Sequence, residues 1–416
     1  MRRQLLWCAL ALFVNSCAAT GGGVGGSSGD APDVRVLLAE GGETYALSVN
    51  GGFSVITESG LTLLRSTRSD RISIFGEYPS ISVVLESDNR VAVAEKAVTI
   101  EPHARAPMKY GKREYAGDIR VVFDTERNLL LLNVLPIELY LEGVVPYEIG
   151  DPGVEGYDAI KSQAVAARTY AYDKVRTRKD LEFDVYASVQ DQVYRGLKGK
   201  TRAATSAVRD TRGRILDYAS GPVRAYYSAC CGGHTSDIRE VWPHREAADY
   251  LHGVRDIDRK RQNAFCIDYK RFRWRYSYTG LELGDILRVT IPRELGVSHE
   301  AVGAVRDVRV VERSRSGRVT ELLIDTTRED FTIIGDRIRW ILLSDPARDR
   351  ILPSVMFRLD KMMDGDRVAF VSVVGGGNGH GVGMCQNGAI GMAKQGYTYE
   401  MILSHYYPGC TVQKVY

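Results

Sequence analysis

Lys161-Ser162-Gln163-Ala164-Val165-Ala166-Ala167-Arg168-Thr169-Tyr170-Ala171 is the stretch that decides how the chain folds. Between Tyr157 and Arg178, Ile160, Ala164, Ala167, Ala171 and Val175 recur at helical spacing and predict one apolar stripe. Small residues along that stripe let a helix approach its neighbours closely. Gln163 and Tyr170 fall together on another face. Upstream, Pro136 suits the first turn of a shorter helix through Glu142. Before Pro136 the period changes to two. Val34 to Ala39, Tyr45 to Val49, Phe53 to Ile56, Ile72 to Phe75, Ile81 to Leu85 and Val91 to Val93 alternate between Gly-rich turns. Ile119 to Phe123 and Leu129 to Val134 read as a hairpin closed by Thr125-Glu126-Arg127-Asn128. Region 33–134 is therefore mainly β, and the helical pattern opens a second region, 135–416.

Downstream, Thr201 to Thr211 predicts another short helix. Val305 to Val311, Val319 to Ile324 and Phe331 to Ile334 return to strand character and mark a β-rich insertion at about 281–345. Gly375 to Gly383 is a Gly-rich loop. A helix is expected from Asn387 to Gln395, stopped by Gly396, and a last one through Tyr406, capped by Thr398.

At the N-terminus, Met1-Arg2-Arg3 is followed by an apolar run from Leu5 to Val14, too short to span a bilayer. It reads as a signal peptide over 1–17. Val14-Asn15-Ser16-Cys17 resembles a lipobox, with Cys17 the expected lipidation site and plain secretion the alternative. The Gly/Ser-rich stretch within 18–32 reads as a tether. The expectation is an extracytoplasmic lipoprotein held to the membrane by its anchor. A formal net charge of +3 over 416 residues argues against a nucleic-acid partner. Of seven cysteines, Cys230, Cys231, Cys266, Cys385 and Cys410 lie beyond the leader. Five is odd, so at least one is free or bound to something other than a second thiol of the chain.

Four segments, the 161–171 helix among them, carry a resemblance. Glu142-Gly143-Val144-Val145-Pro146-Tyr147-Glu148, the 161–171 helix, Tyr227-Ser228-Ala229-Cys230-Cys231-Gly232-Gly233-His234-Thr235, and Gly379 to Gly388 with Tyr406-Tyr407-Pro408-Gly409 occur in one order. Together they resemble the SpoIID/LytB family, from about Val34 to Tyr416. Cys230, Cys231, Cys385 and Asn387 depart from its usual residues. The resemblance implies an α+β fold, an antiparallel β-sheet flanked by helices. It implies peptidoglycan metabolism: SpoIID-like members are lytic transglycosylases on glycan strands stripped of peptide, and LytB-like members enhance a cell-wall amidase. It maps the family glutamate onto Glu148.

Cleaving a MurNAc–GlcNAc link requires a proton at the glycosidic oxygen, and a carboxyl in a semi-apolar setting can hold one near neutral pH. The apolar turn before Glu148 suits that. A lytic transglycosylase needs no second carboxylate, because the sugar's C6 hydroxyl attacks C1. Asp151 and Glu155 are the alternative acids. Gln163, Arg168, Tyr170, Ser228, Gly232, His380 and Gln386 are the expected substrate contacts. Arg168 could instead pair with a buried carboxylate, Ser228 and Gly232 could form a plain turn, and His380 could be held by backbone. No cofactor is required. Cys231 and His234 offer zinc two soft ligands, with Cys266 or His252 to complete a site, while a disulfide from Cys230 or Cys231 to Cys266 competes. A zinc hydrolase built on Cys231, His234 and His380 is a weaker third reading, after a transglycosylase and a non-catalytic glycan-binding enhancer.

Overall fold

Period-two burial in residues 33–136 builds two mainly antiparallel sheets around one core, the short Val185–Tyr186 joining one of them in parallel. In Ser80–Leu85, for example, Ile81, Val83 and Leu85 are buried and the residues between them half-buried. The computed structural model describes residues 30–258 and 260–416. The expected leader, Cys17 and all but the end of the tether lie outside the described residues. One sheet runs in the order Val185–Tyr186, Asp33–Glu40, Leu129–Pro136, Asp118–Phe123, Ala97–Pro102, Phe53–Thr57, Thr62–Ser66. The other runs Arg113–Tyr115, Met108–Tyr110, Thr44–Val49, Asp70–Glu77, Ser80–Leu85, Val91–Glu95. Buried Val36, Leu47, Phe53, Ile72, Ile81, Ile119 and Leu131 belong to a single cluster.

Leu129–Pro136 leads directly into α1 (Ile137–Glu148). Pro136 takes the cap position, one residue before the first turn. Ile137, Tyr140, Leu141, Val144 and Val145 bury one face, which leaves Glu148 as the last helical residue. α2 (Tyr157–Thr177) follows, then α3 (Arg202–Asp210), whose cap Thr201 accepts the Ala204 N–H at 3.2 Å. α2 is the centre of the second region. It packs against α1, α3, the strand Arg214–Tyr218 and the helices Gln386–Ala393 and Tyr399–Tyr406. Every residue from Ser162 to Thr169 is buried, on all sides and not on one stripe alone. This explains the run of small side chains. The fold is α+β with antiparallel sheets, and among the described residues no helix is long and apolar enough to cross a membrane.

A second core, Tyr278 to Val373, is separate. Arg273–Thr279, Phe357–Asp364 and Arg367–Gly376 form one of its sheets, Val305–Arg313, Val319–Thr326 and Phe331–Ile334 another, with helix Gly280–Leu295 alongside. Side chains of this unit reach back into the first, Arg318 most deeply. Arg318, 1% exposed, donates to the carbonyls of Cys231 (2.8 Å) and His234 (2.7 Å).

Helix Gln386–Ala393 approaches its neighbours so closely that a Cβ at Gly388 would lie 2.1 Å from Tyr406 Oη and 2.5 Å from Asp256 Oδ2. Gly388→Ala is therefore expected to destabilise the fold by about 1–3 kcal/mol, measured by urea unfolding, despite alanine's better helix propensity.

Candidate active site

The end of α1 turns Glu148 toward α2 and the start of helix Gln386–Ala393. Its carboxylate is held by two donors: Val193 N–H to Oε1 at 3.0 Å and Gln386 Nε2 to Oε2 at 3.3 Å. Gln386 Nε2 also donates to Gln163 Oε1 at 3.2 Å, so Glu148, Gln386 and Gln163 form one chain of polar groups. Glu148 is half-buried. Burial pushes its carboxyl above the usual carboxylate range, against the pull of the Val193 and Gln386 donors. The carbonyl end of α1 acts in the same direction, because it disfavours negative charge. The alternative acids Asp151 and Glu155 are exposed and lack that setting. Ile149 and Asn387, the residues following Glu148 and Gln386, line a cavity of about 260 Å³ with Phe265, Tyr269 and Lys394.

A second layer comes from a loop that sequence reasoning passed over, Asp191-Gln192-Val193. Gln192, 1% exposed, accepts from Tyr140 Oη at 3.0 Å and donates to Tyr227 Oη at 2.8 Å and to the Ala167 carbonyl at 3.3 Å. Burial and then the Glu148 charge push the Tyr227 hydroxyl well up, so it stays protonated. Asp191 accepts from Tyr170 Oη at 2.5 Å, from Arg178 at 2.9 Å and from the Tyr186 N–H at 2.9 Å. Tyr170 thus stands near the site with its hydroxyl already engaged. The available signal was the polar triplet Gln190-Asp191-Gln192 set before Val193-Tyr194.

Arg168, expected at the substrate, is elsewhere. It is fully buried and makes a two-pronged pair with Glu138, at 2.9 Å on each oxygen. Its remaining donors meet the Val208 and Arg214 carbonyls and Thr211 Oγ1. No donor is left for a sugar. Ser228 Oγ accepts the Gly381 N–H at 3.2 Å, and Gly232, at φ +77°, is buried against Met356 and Gly377. Both shape turns and do not present a polar group to solvent. His380 Nδ1 accepts the Val382 N–H at 3.1 Å, and its ring lies 5.0 Å from Trp242. Burial lowers its pKa to about 4, so it is neutral, and its bonds are to backbone and not to Glu148.

The cysteines gather in one place. Cys231, Cys266, Cys385 and Asp256 are all buried, with ligand atoms within 4.8 Å of one another. Cys231 and Cys266 Sγ are 3.7 Å apart, and no disulfide joins the described cysteines. His234 is not in this group: its Nδ1 bonds the Thr235 carbonyl at 2.6 Å. His252 is exposed and bonds the Asp249 carbonyl. The Cys231–His234–His380 arrangement expected of a zinc hydrolase does not form, because each histidine is held by backbone on its own loop.

Comparison with known proteins gives the family. The profile of the family described as "Stage II sporulation protein" (SpoIID) matches residues 125–218, and that of a domain of unknown function, DUF8618, matches 257–383. An uncharacterized protein of Brachyspira hyodysenteriae is 31% identical over 387 residues, 91% of this chain and 92% of that protein. The stage II sporulation protein D of Bacillus subtilis is 27% identical over 67% of this chain and 75% of its own length. The amidase enhancer of the same organism is 24% identical over 65% of this chain and 40% of its own length. The SpoIID profile covers α1 with Glu148, all of α2 and the Gln192 loop, and a relative is matched almost end to end: the chain belongs to the SpoIID family.

Proposed function

We propose that this chain works on the cell wall as a peptidoglycan lytic transglycosylase, with Glu148 as its one acid and base. The carrying observation is a half-buried carboxyl at the end of α1, raised by burial and oriented by Val193 and Gln386. Asp191, the carboxylate of the adjoining loop, is engaged by Tyr170, Arg178 and Tyr186 and cannot serve as a nucleophile. Asp151 and Asp268 line the adjoining cavity but are exposed, so Glu148 is the one carboxyl there raised by burial, which fits intramolecular attack better than hydrolysis by a carboxylate pair. Glu148 gives its proton to the glycosidic oxygen and the C1–O bond breaks. The C6 hydroxyl of the same MurNAc bonds to C1, and its proton returns to Glu148. The products are a new free end and a 1,6-anhydroMurNAc end, with no water consumed and no cofactor involved.

Digestion of denuded glycan strands, with mass spectrometry for 1,6-anhydroMurNAc ends, tests this. The relative named amidase enhancer supports a second reading, a non-catalytic glycan-binding partner of a wall amidase. Strand binding without anhydro ends would select it. In either case the proposed setting is the cell envelope, with Cys17 as the lipid anchor.

Gln386 gives a finer test. Its N–H favours the ionised carboxylate, so Gln386→Leu leaves burial less opposed and raises the Glu148 pKa further. Because the protonated form acts first, the fall of rate with rising pH moves to higher pH. A pH–rate profile of anhydro-end formation measures it.

A further inference from the structure

Three chain segments far apart in sequence bring their thiols to one buried point. Cys231 comes from the turn after Tyr227–Ser228, Cys266 from the loop after Asn263–Ala264, and Cys385 caps helix Gln386–Ala393. Asp256, 0% exposed, completes the group. We propose that Cys231, Cys266, Cys385 and Asp256 form a closed, four-coordinate site for a structural zinc ion.

Spacing supports it. Zinc at about 2.3 Å from each sulfur sets tetrahedral sulfurs about 3.8 Å apart. Cys231 and Cys266 stand at 3.7 Å, and all four ligand atoms fall within 4.8 Å of one another. Donor chemistry supports it independently. Cys385 Sγ accepts the N–H groups of Cys231 and Gly388, both at 3.2 Å, and Cys231 Sγ accepts the Gly233 N–H at 3.3 Å. Backbone donors aimed at sulfur stabilise thiolates, as the outer shell of a metal site does.

Charge supplies a third argument. The Asp256 carboxylate is sealed from water, accepts from Tyr406 Oη at 2.7 Å and from Cys231 Sγ at 3.0 Å, and has His405 only at 3.6 Å. Arg318, the nearby buried cation, is directed to carbonyls instead. A buried carboxylate among thiols calls for a positive partner. A Cys231–Cys266 disulfide would use two of the sulfurs, leave Cys385 with only the Cys230 thiol beside it, and leave the Asp256 carboxylate without a cation. On binding, the thiol protons leave to water and the ion keeps its oxidation state.

All four ligands are buried, and four protein ligands fill a tetrahedral shell. It is therefore structural. Its role follows from the next residue. Cys385 precedes Gln386, the side chain that orients Glu148, so the ion fastens that helix start to two loops.

Element analysis of the full chain, purified under mild reductant without chelator, is expected to find about one zinc per chain. Exchange with cobalt(II) should give the intense thiolate charge-transfer and tetrahedral bands. Cys385→Ser should lose the metal, and Cys410→Ser, outside the cluster, should keep it. Tyr406→Phe, which removes a partner of Asp256, should weaken binding about 10–100-fold. Should Cys385→Ser fail to fold, the wild-type zinc content and cobalt spectrum decide alone. Wild-type protein with no zinc and no cobalt bands overturns the proposal, whether its thiols are free or a Cys231–Cys266 disulfide is mapped. Zinc retained in folded Cys385→Ser overturns it equally. None of these readings depends on whether the chain cuts glycan.

Discussion

Glu148→Gln is expected to lower the formation of 1,6-anhydroMurNAc ends by about 10²–10⁴-fold, the usual contribution of a positioned general acid. Glutamine keeps the shape of the side chain and an oxygen for the Val193 N–H, but it cannot give or take the proton. The same substitution should leave the fold intact or make it more stable at neutral pH. Burial holds the Glu148 carboxyl above its usual pKa, so the native state binds this proton more tightly than the unfolded chain does. The stability that this group contributes is full below the ordinary carboxylate range and is lost as pH rises through the raised value. At neutral pH the ionised group is a burden on folding, which the amide removes. Denaturant melts of both proteins at acidic and neutral pH, run beside the product assay, check the pair of effects. Lost anhydro ends together with a lower melting point would mean that Glu148 holds the structure and is not the acid. Unchanged product would remove the catalytic reading outright.

The pairing of lost activity with kept stability separates Glu148 from the other polar residues of the motifs, and the two kinds were not equally legible. The helix around Gln163 could be read from spacing, because tight packing on α2 leaves its mark as a run of small residues. Most strands before Pro136 could be read for the same reason, since a sheet with one buried face imposes its period; Thr62–Ser66, Ala97–Pro102, Met108–Tyr110 and Arg113–Tyr115 were not. Glu148 was readable as a carboxyl after an apolar segment, although that segment, expected to be a turn, is the last part of α1. Its partners were not. Val193 contributes only a backbone N–H, which any residue carries, and Gln192 lies in a short loop with no period to mark it. The zinc-like cluster shows a related difficulty. Cys231 and His234 are neighbours in sequence and were natural to pair. Gly232 and Gly233, both at positive φ, turn the chain between them, so His234 faces the Thr235 carbonyl while Cys231 meets Cys266 and Cys385. Asp256 had nothing in its own surroundings to mark it as a ligand.

Arg168 takes the second of the two roles its sequence allowed, the pair with a buried carboxylate, and its removal carries the largest expected cost in stability. Arg168→Ala should destabilise the fold by about 3–5 kcal/mol, the usual cost of leaving one member of a buried pair without the other. Glu138, 7% exposed beside Arg168, would keep only the Tyr416 hydroxyl (2.7 Å) and the Gly213 N–H (3.2 Å). Arg168→Lys should not rescue it, because one ammonium cannot serve both carboxylate oxygens, the Val208 and Arg214 carbonyls and Thr211 together. The loss should also be largest at neutral pH. Burial alone would raise the Glu138 carboxyl, but Arg168, Tyr416 and Gly213 override it and hold it below its usual pKa. That contribution is present above the ordinary carboxylate range and lost as pH falls through the lowered value, so wild type and variant should converge in acid. Thermal melts across pH measure this. A variant that melts like wild type at neutral pH but fails to bind glycan would return Arg168 to the substrate. A variant that loses stability while the folded fraction keeps its binding would fix it as the brace that joins α1, α2 and α3.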